Sequence, residues 1–100
     1  MPDKAGQRRT VTVRIEGRVQ GVYYRAWTEQ TARMLGLDGN VRNMSDGSVE
    51  ATFSGPAEVV ADMLRACAEG PKSAKVSKVT IVHEGGSVAP GFRVLGTNWH

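Results

Sequence analysis

The sequence predicts an α+β fold: a ferredoxin-like βαββαβ sandwich, an antiparallel sheet with two helices on one face, and a short fifth strand at the C-terminus. Three observations carry this. Apolar and polar residues alternate from Thr10 to Glu16 and again from Ser48 to Ser54, the period-two pattern of half-buried strands. Between and after these segments the apolar spacing changes to three and four residues, the period of a helix face. Glycine and proline separate the segments, giving the order strand, helix, strand, strand, helix, strand, the split βαβ arrangement.

The first strand places Val11, Val13 and Ile15 on one side and Thr12, Arg14 and Glu16 on the other. Gly17 to Gly21 breaks the pattern. Tyr24, Trp27, Thr28, Thr31, Ala32 and Leu35 then share a face, which predicts a helix over 24–35. Gly36 suits the left-handed cap, with Leu37 folding back as its hydrophobic contact. Asn40 to Asn43 is short and extended, Met44 to Gly47 reads as a turn, and Ser48 to Ser54 returns as a strand, so the pair forms a β-hairpin. Ser54-Gly55-Pro56 opens the second helix, with Pro56 in the first turn, where its missing N–H costs nothing. Val60, Met63, Leu64 and Cys67 form its stripe and Gly70-Pro71 ends it. Val76 to His83 is a β-branched strand with Val76 out of phase with Val79 and Ile81, the mark of a bulge or a late start. Phe92 to Leu95 is the short last strand. Right-handed crossovers put both helices on one face.

One hundred residues suit a single domain: residues 1–9 as a flexible basic tail and 10–97 as the folded unit. No apolar run reaches the roughly 20 residues that span a bilayer, and the polar N-terminus does not resemble a secretory signal, so no membrane partner is expected. The lone cysteine, Cys67, cannot form an internal disulfide, which suits the cytoplasm. The net charge is +3. Three of the thirteen basic residues, Lys4, Arg8 and Arg9, fall in the tail and the others are scattered, a pattern of a solvated surface or an anionic small substrate more than of a nucleic-acid groove. His83 and His100 lack neighbouring ligands at metal spacing, so no metal and no cofactor is expected.

The chemistry concentrates between the first strand and the first helix, in Glu16-Gly17-Arg18-Val19-Gln20-Gly21-Val22-Tyr23-Tyr24-Arg25. Glycines there let successive backbone N–H groups converge into an anion-binding nest, and the loop feeds a helix N-terminus, which favours phosphate. Arg25 stands in the first helical turn, where the dipole disfavours a cation; its fork of donors fits two phosphate oxygens. The stretch lacks the Gly-Lys-Ser/Thr of a nucleotide-binding loop, and on glycine content alone a plain structural turn explains it equally well.

The run Gly17 to Arg25 resembles the first signature of the acylphosphatase family. A second signature follows in Leu35-Gly36-Leu37-Asp38-Gly39-Asn40-Val41-Arg42-Asn43-Met44-Ser45-Asp46-Gly47-Ser48-Val49-Glu50. Gly55 and Gly91-Phe92 also fit, and the resemblance covers residues 10–95. The family often carries a bulky aromatic after Gly39, where this chain has Asn40. The resemblance implies a monomeric, metal-independent enzyme that hydrolyses acyl phosphates to carboxylate and inorganic phosphate. It implies Arg25 as the phosphate-binding arginine and Asn43 as the residue that positions the attacking water. The backbone of Gln20, Gly21, Val22, Tyr23 and Tyr24 then completes the phosphate cradle.

Blander readings stand beside these. Arg25 can pair with a surface carboxylate, and Asn43 can cap the Asp46-Gly47 turn. Asp46, at a turn ahead of glycine, reads as structural rather than as a general base. Tyr24, Trp27 and Cys67 read as core, Tyr23 is open to a substrate aryl group, and Glu50 pairs with a basic residue across the sheet. The alternative function is a ferredoxin-like RNA or small-ligand binding module, which requires aromatics on the central strands; only Phe53 supplies one. A third reading is such a domain cut from a larger hydrogenase-maturation or carbamoyl-transfer protein; a chain end soon after the last strand and the lack of zinc-finger cysteines favour the stand-alone enzyme.

Overall fold

A computed structural model describes residues 7–97. Its elements are β1 (Arg8–Arg18), α1 (Tyr24–Met34), β2 (Asp38–Asn43), β3 (Val49–Pro56), α2 (Ala57–Glu69), β4 (Lys75–Glu84) and β5 (Phe92–Val94). The five strands form one sheet in the order β4-β1-β3-β2-β5.

The alternation seen in the sequence becomes two faces. Val11 pairs with Phe53, Val13 with Ala51 and Ile15 with Val49, and Val41 sits opposite Ala51 from the other side. All seven are fully buried. Tyr24, Thr28 and Ala32 of α1 and Val60, Met63 and Cys67 of α2 cover this face. Removing that much apolar surface from water is the main driving term for such a domain. The other face is polar: Thr12 Oγ1 and Thr52 Oγ1 lie 2.9 Å apart, and Arg14 stands opposite Glu50. Glu50 also pairs with Arg42, at 3.8 Å. Asn40 lies on this open face, between Thr52 and Arg93, so its polarity costs the core nothing.

Four details differ from the sequence reading. β1 takes up Arg8 and Arg9, opposite Pro56 and Gly55, so the strand begins inside the segment assigned to the tail; an Arg9–Glu84 ion pair at 2.7 Å joins this end to β4. Residues 1–6 of the tail, with Trp99 and His100, lie outside the described residues. The sheet is mixed rather than antiparallel, because β5 runs parallel to β2. Pro56 ends β3 instead of opening α2, whose first N–H, that of Ala57, donates to the Gln7 carbonyl at 2.9 Å. Trp27 is half-buried, its ring 5.3 Å from that of Tyr24. The irregular phase of β4 is a bulge: its pairing with β1 slips between Thr12 and Val13 and again between Glu16 and Gly17. Leu37 closes α1 as expected, its N–H donating to the Ala32 carbonyl at 2.9 Å.

Candidate active site

The register fixes where the predicted site residues meet. β1 ends, β2 ends and β3 begins at the same edge of the sheet, since Ile15 and Asn43 both pair with Val49. The loop after β1 therefore starts α1 at that edge. Asn43 shares the side-chain phase of Gly39 and Val41, the phase that faces the helices. Arg25, in the first turn of α1, and Asn43 thus occupy one end of the molecule on the helical side. No hydrogen bond joins them among the described residues.

The loop is shaped by two left-handed residues. Gly21 has φ 72°, which glycine accepts freely. Tyr23, the residue before α1, has φ 72° and ψ 6°, a conformation that costs a non-glycine residue roughly 1–2 kcal/mol. No side chain among the described residues caps this helix. The first helical bond runs from the Trp27 N–H to the Tyr23 carbonyl at 3.0 Å. The N–H groups before it, from Gln20 to Ala26, donate to no other protein group among the described residues. A cavity of about 150 Å³ lies against them, lined by Val19, Gly21, Tyr23, Tyr24, Arg25 and Ala26. Unused backbone donors beside a cation form an anion-receiving surface. Tyr23 is 54% exposed at its rim.

Asn43 brings a different group. Its Oδ1 is buried and lacks a hydrogen-bond partner among the described residues, whereas buried carbonyl oxygens are nearly always satisfied. An acceptor in that state suits an O–H donor such as water.

Two features went unread in the sequence. The side chain of Gln20, singled out only for its backbone, donates from Nε2 to the Met44 carbonyl at 2.8 Å and to the Ser48 carbonyl at 2.7 Å, tying the loop to the hairpin turn beside Asn43. Ser73 reaches the same loop from beyond α2. Neither contact has a local signal, since the partners lie 24 to 51 residues away. Asp46 is structural: Oδ1 accepts from the Ser48 backbone N–H at 2.9 Å and from the Ser48 hydroxyl at 2.6 Å, and Oδ2 accepts from Arg14. These bonds, the Ser48 hydroxyl foremost, hold its carboxyl well below the usual range. Cys67 is core, its thiol pushed up to about 12 by burial. Burial also raises the phenol of Tyr24, whose hydroxyl donates to the Cys67 carbonyl at 2.8 Å.

Fold and loop together define a two-layer α+β domain whose strand-to-helix loop, at one end of the sheet, sets unused backbone donors beside Arg25. Comparison with known proteins is specific on the point. The sequence model of the acylphosphatase family matches residues 11–94. An acylphosphatase of Rhodospirillum rubrum is 51% identical over 84 residues, covering 84% of this chain and 92% of that protein. The structure of an acylphosphatase from Coxiella burnetii superposes with a TM-score of 0.84 at 32% identity, over 95% of this chain and all of that one. Full-length HypF shares the fold, with a TM-score of 0.83 at 23% identity, this chain covering 12% of its length. The chain belongs to the acylphosphatase family, enzymes that hydrolyse acyl phosphates.

Proposed function

We propose that Arg25 and the backbone N–H groups of Gln20 to Tyr24 hold the phosphate of an acyl phosphate, and that Asn43 positions the water that attacks it. The observation that supports this best is the pairing, at one end of the sheet, of unused backbone donors beside Arg25 with the unpartnered Oδ1 of Asn43. An acyl phosphate is a mixed anhydride with a good leaving group. What it needs is charge neutralisation and alignment, the main terms in phosphoryl transfer. Water adds to phosphorus, the phosphorus–oxygen bond to the acyl group breaks, and the carboxylate departs with that electron pair. Asn43 accepts one hydrogen of the water but cannot take its proton near neutral pH. The proton passes to a phosphate oxygen, and the products are a carboxylate and inorganic phosphate.

In this reading the positive charge comes from Arg25 and the helix terminus, so the reaction is independent of metal. The same reading takes the protein as a cytoplasmic monomer acting on a small molecule, in keeping with its single buried thiol, Cys67. It also excludes nucleic acid as a partner. The open face of the sheet presents Thr12, Arg14, Glu50 and Thr52 at its centre, where an RNA platform places aromatics; Phe53 instead faces the core, stacked on Phe92 at 5.6 Å.

The test is hydrolysis of benzoyl phosphate by the intact protein, with and without a chelator. Turnover is expected, unchanged by the chelator and competitively inhibited by inorganic phosphate. No turnover by the folded protein refutes the reading.

A further inference from the structure

One short segment, Cys67–Ser73, makes three contacts with the residues that open α1. The Cys67 carbonyl accepts from the Tyr24 hydroxyl at 2.8 Å. Gly70 lies against the Tyr24 ring, so closely that a Cβ on it would stand 2.9 Å from Cε2. The Ser73 hydroxyl donates to the Val22 carbonyl at 2.6 Å. The first two contacts hold a core residue. The third lies at the surface: Ser73 is exposed, and the Val22 carbonyl belongs to neither helix nor strand.

We infer that Ser73 is a positioning residue for the phosphate cradle, its hydroxyl holding the Val22–Tyr23 peptide so that the Tyr23 N–H faces the phosphate. The peptide unit is planar and trans, so its carbonyl and N–H point in opposite directions. A carbonyl drawn toward the turn after α2 aims the N–H away from that turn. Tyr23 lines the cavity shared with Gly21 and Arg25, whereas Val22 and Ser73 do not, and the Tyr23 N–H donates to no other protein group among the described residues. The left-handed φ of Tyr23 supplies the reason for a tether, since such conformations persist in non-glycine residues only where the surroundings fix them. Ser73 is itself fixed. The Ala74 N–H closes its turn onto the Pro71 carbonyl at 3.0 Å, and Ala74 is buried.

The inference rests on the phosphate-binding role proposed for the loop. Its test compares Ser73→Ala, Ser73→Thr and Arg25→Ala in three measurements: the inhibition constant of inorganic phosphate with kcat/KM for benzoyl phosphate, the Tyr23 amide shift during a phosphate titration, and Tm. Ser73→Ala is expected to weaken phosphate binding and lower kcat/KM by about three- to tenfold, the worth of one hydrogen bond. The Tyr23 amide response should shrink while Tm moves by no more than a few degrees, and Ser73→Thr should restore each value. A wild-type inhibition constant and Tyr23 response in Ser73→Ala, with phosphate binding lost in Arg25→Ala, overturns the tether and leaves the cradle standing. Normal phosphate binding in Arg25→Ala brings down both. A steep fall in Tm that Ser73→Thr repairs without repairing phosphate affinity assigns the hydroxyl to stability alone and also overturns the inference.

Discussion

The side-chain amide of Gln20 donates to the carbonyl oxygen of Met44 at 2.8 Å, coupling the strand-to-helix loop to the residue that follows Asn43. The same nitrogen reaches the Ser48 carbonyl, which also accepts from the Met44 N–H at 2.9 Å. One side chain therefore sets the spacing between the two halves of the site. Gln20→Ala strips a donor from two carbonyls and is expected to cost about 1–3 kcal/mol. Urea unfolding checks the stability. Activity on benzoyl phosphate should fall further than the small unfolded fraction explains, and a fall no larger than that fraction refutes the coupling.

Arg25→Ala and Asn43→Ala should each lower kcat/KM by roughly a hundredfold or more, the usual consequence of removing one transition-state donor. Arg25→Lys should recover little, because a point charge does not reproduce a two-pronged fork. Steady-state kinetics on benzoyl phosphate decides, and near-normal turnover in either alanine variant removes that residue from its role.

Gly70→Ala should destabilise the fold by about 1–3 kcal/mol. Gly70 has φ 68° and ψ −174°, a region that is essentially glycine-only, and the added Cβ would strike the Tyr24 ring. Tyr24→Phe should cost about 1 kcal/mol through the unpaired Cys67 carbonyl. Thermal melts of the two variants measure both values.

Acid should weaken the hairpin turn. The Asp46 carboxyl is held below its ordinary value by Ser48 first and Arg14 next, so folding favours its ionised form. That contribution is complete above the unfolded value near 4 and is lost as the pH falls toward the lower folded value. Stability measured from pH 6 downward should therefore decline below about pH 4, and Asp46→Asn should flatten the decline. An identical slope in the variant removes Asp46 as a cause.

The Cys67 thiol, buried and pushed up to about 12, should resist a thiol reagent at pH 7–8 in the folded protein and react at once in denaturant, because only the thiolate is nucleophilic. Colorimetric titration distinguishes the two. Rapid labelling of the native protein contradicts the buried placement.

Much of this fold was legible because its strands are half-buried and its helices one-sided. Val11, Val13 and Ile15 announced β1, and Val60, Met63 and Cys67 announced α2, through spacing alone. The parallel pairing of β5 was not legible, since three residues carry no direction. The spacing placed the start of α1 at Tyr24, as found, but not the geometry that precedes it. Its Tyr23 takes a backbone conformation that tyrosine disfavours, and the contacts around it come from Gln20, Ser73 and Tyr24 acting across the chain. At the proposed site, the residue types Arg25 and Asn43 and the motifs around them stand in the sequence itself. The unpaired state of Asn43 Oδ1 was not, because it depends on what the tertiary structure withholds from it.

The parts that brace the loop lie far along the chain: Met44 and Ser48 in the hairpin, then Cys67, Gly70 and Ser73. During synthesis the loop leaves the ribosome well before any of them. A nascent chain stalled before Met44 therefore carries Arg25 and Asn43 without any of these braces. On the proposed reading of the loop, competence for phosphate arrives late in translation, with the second half of the domain.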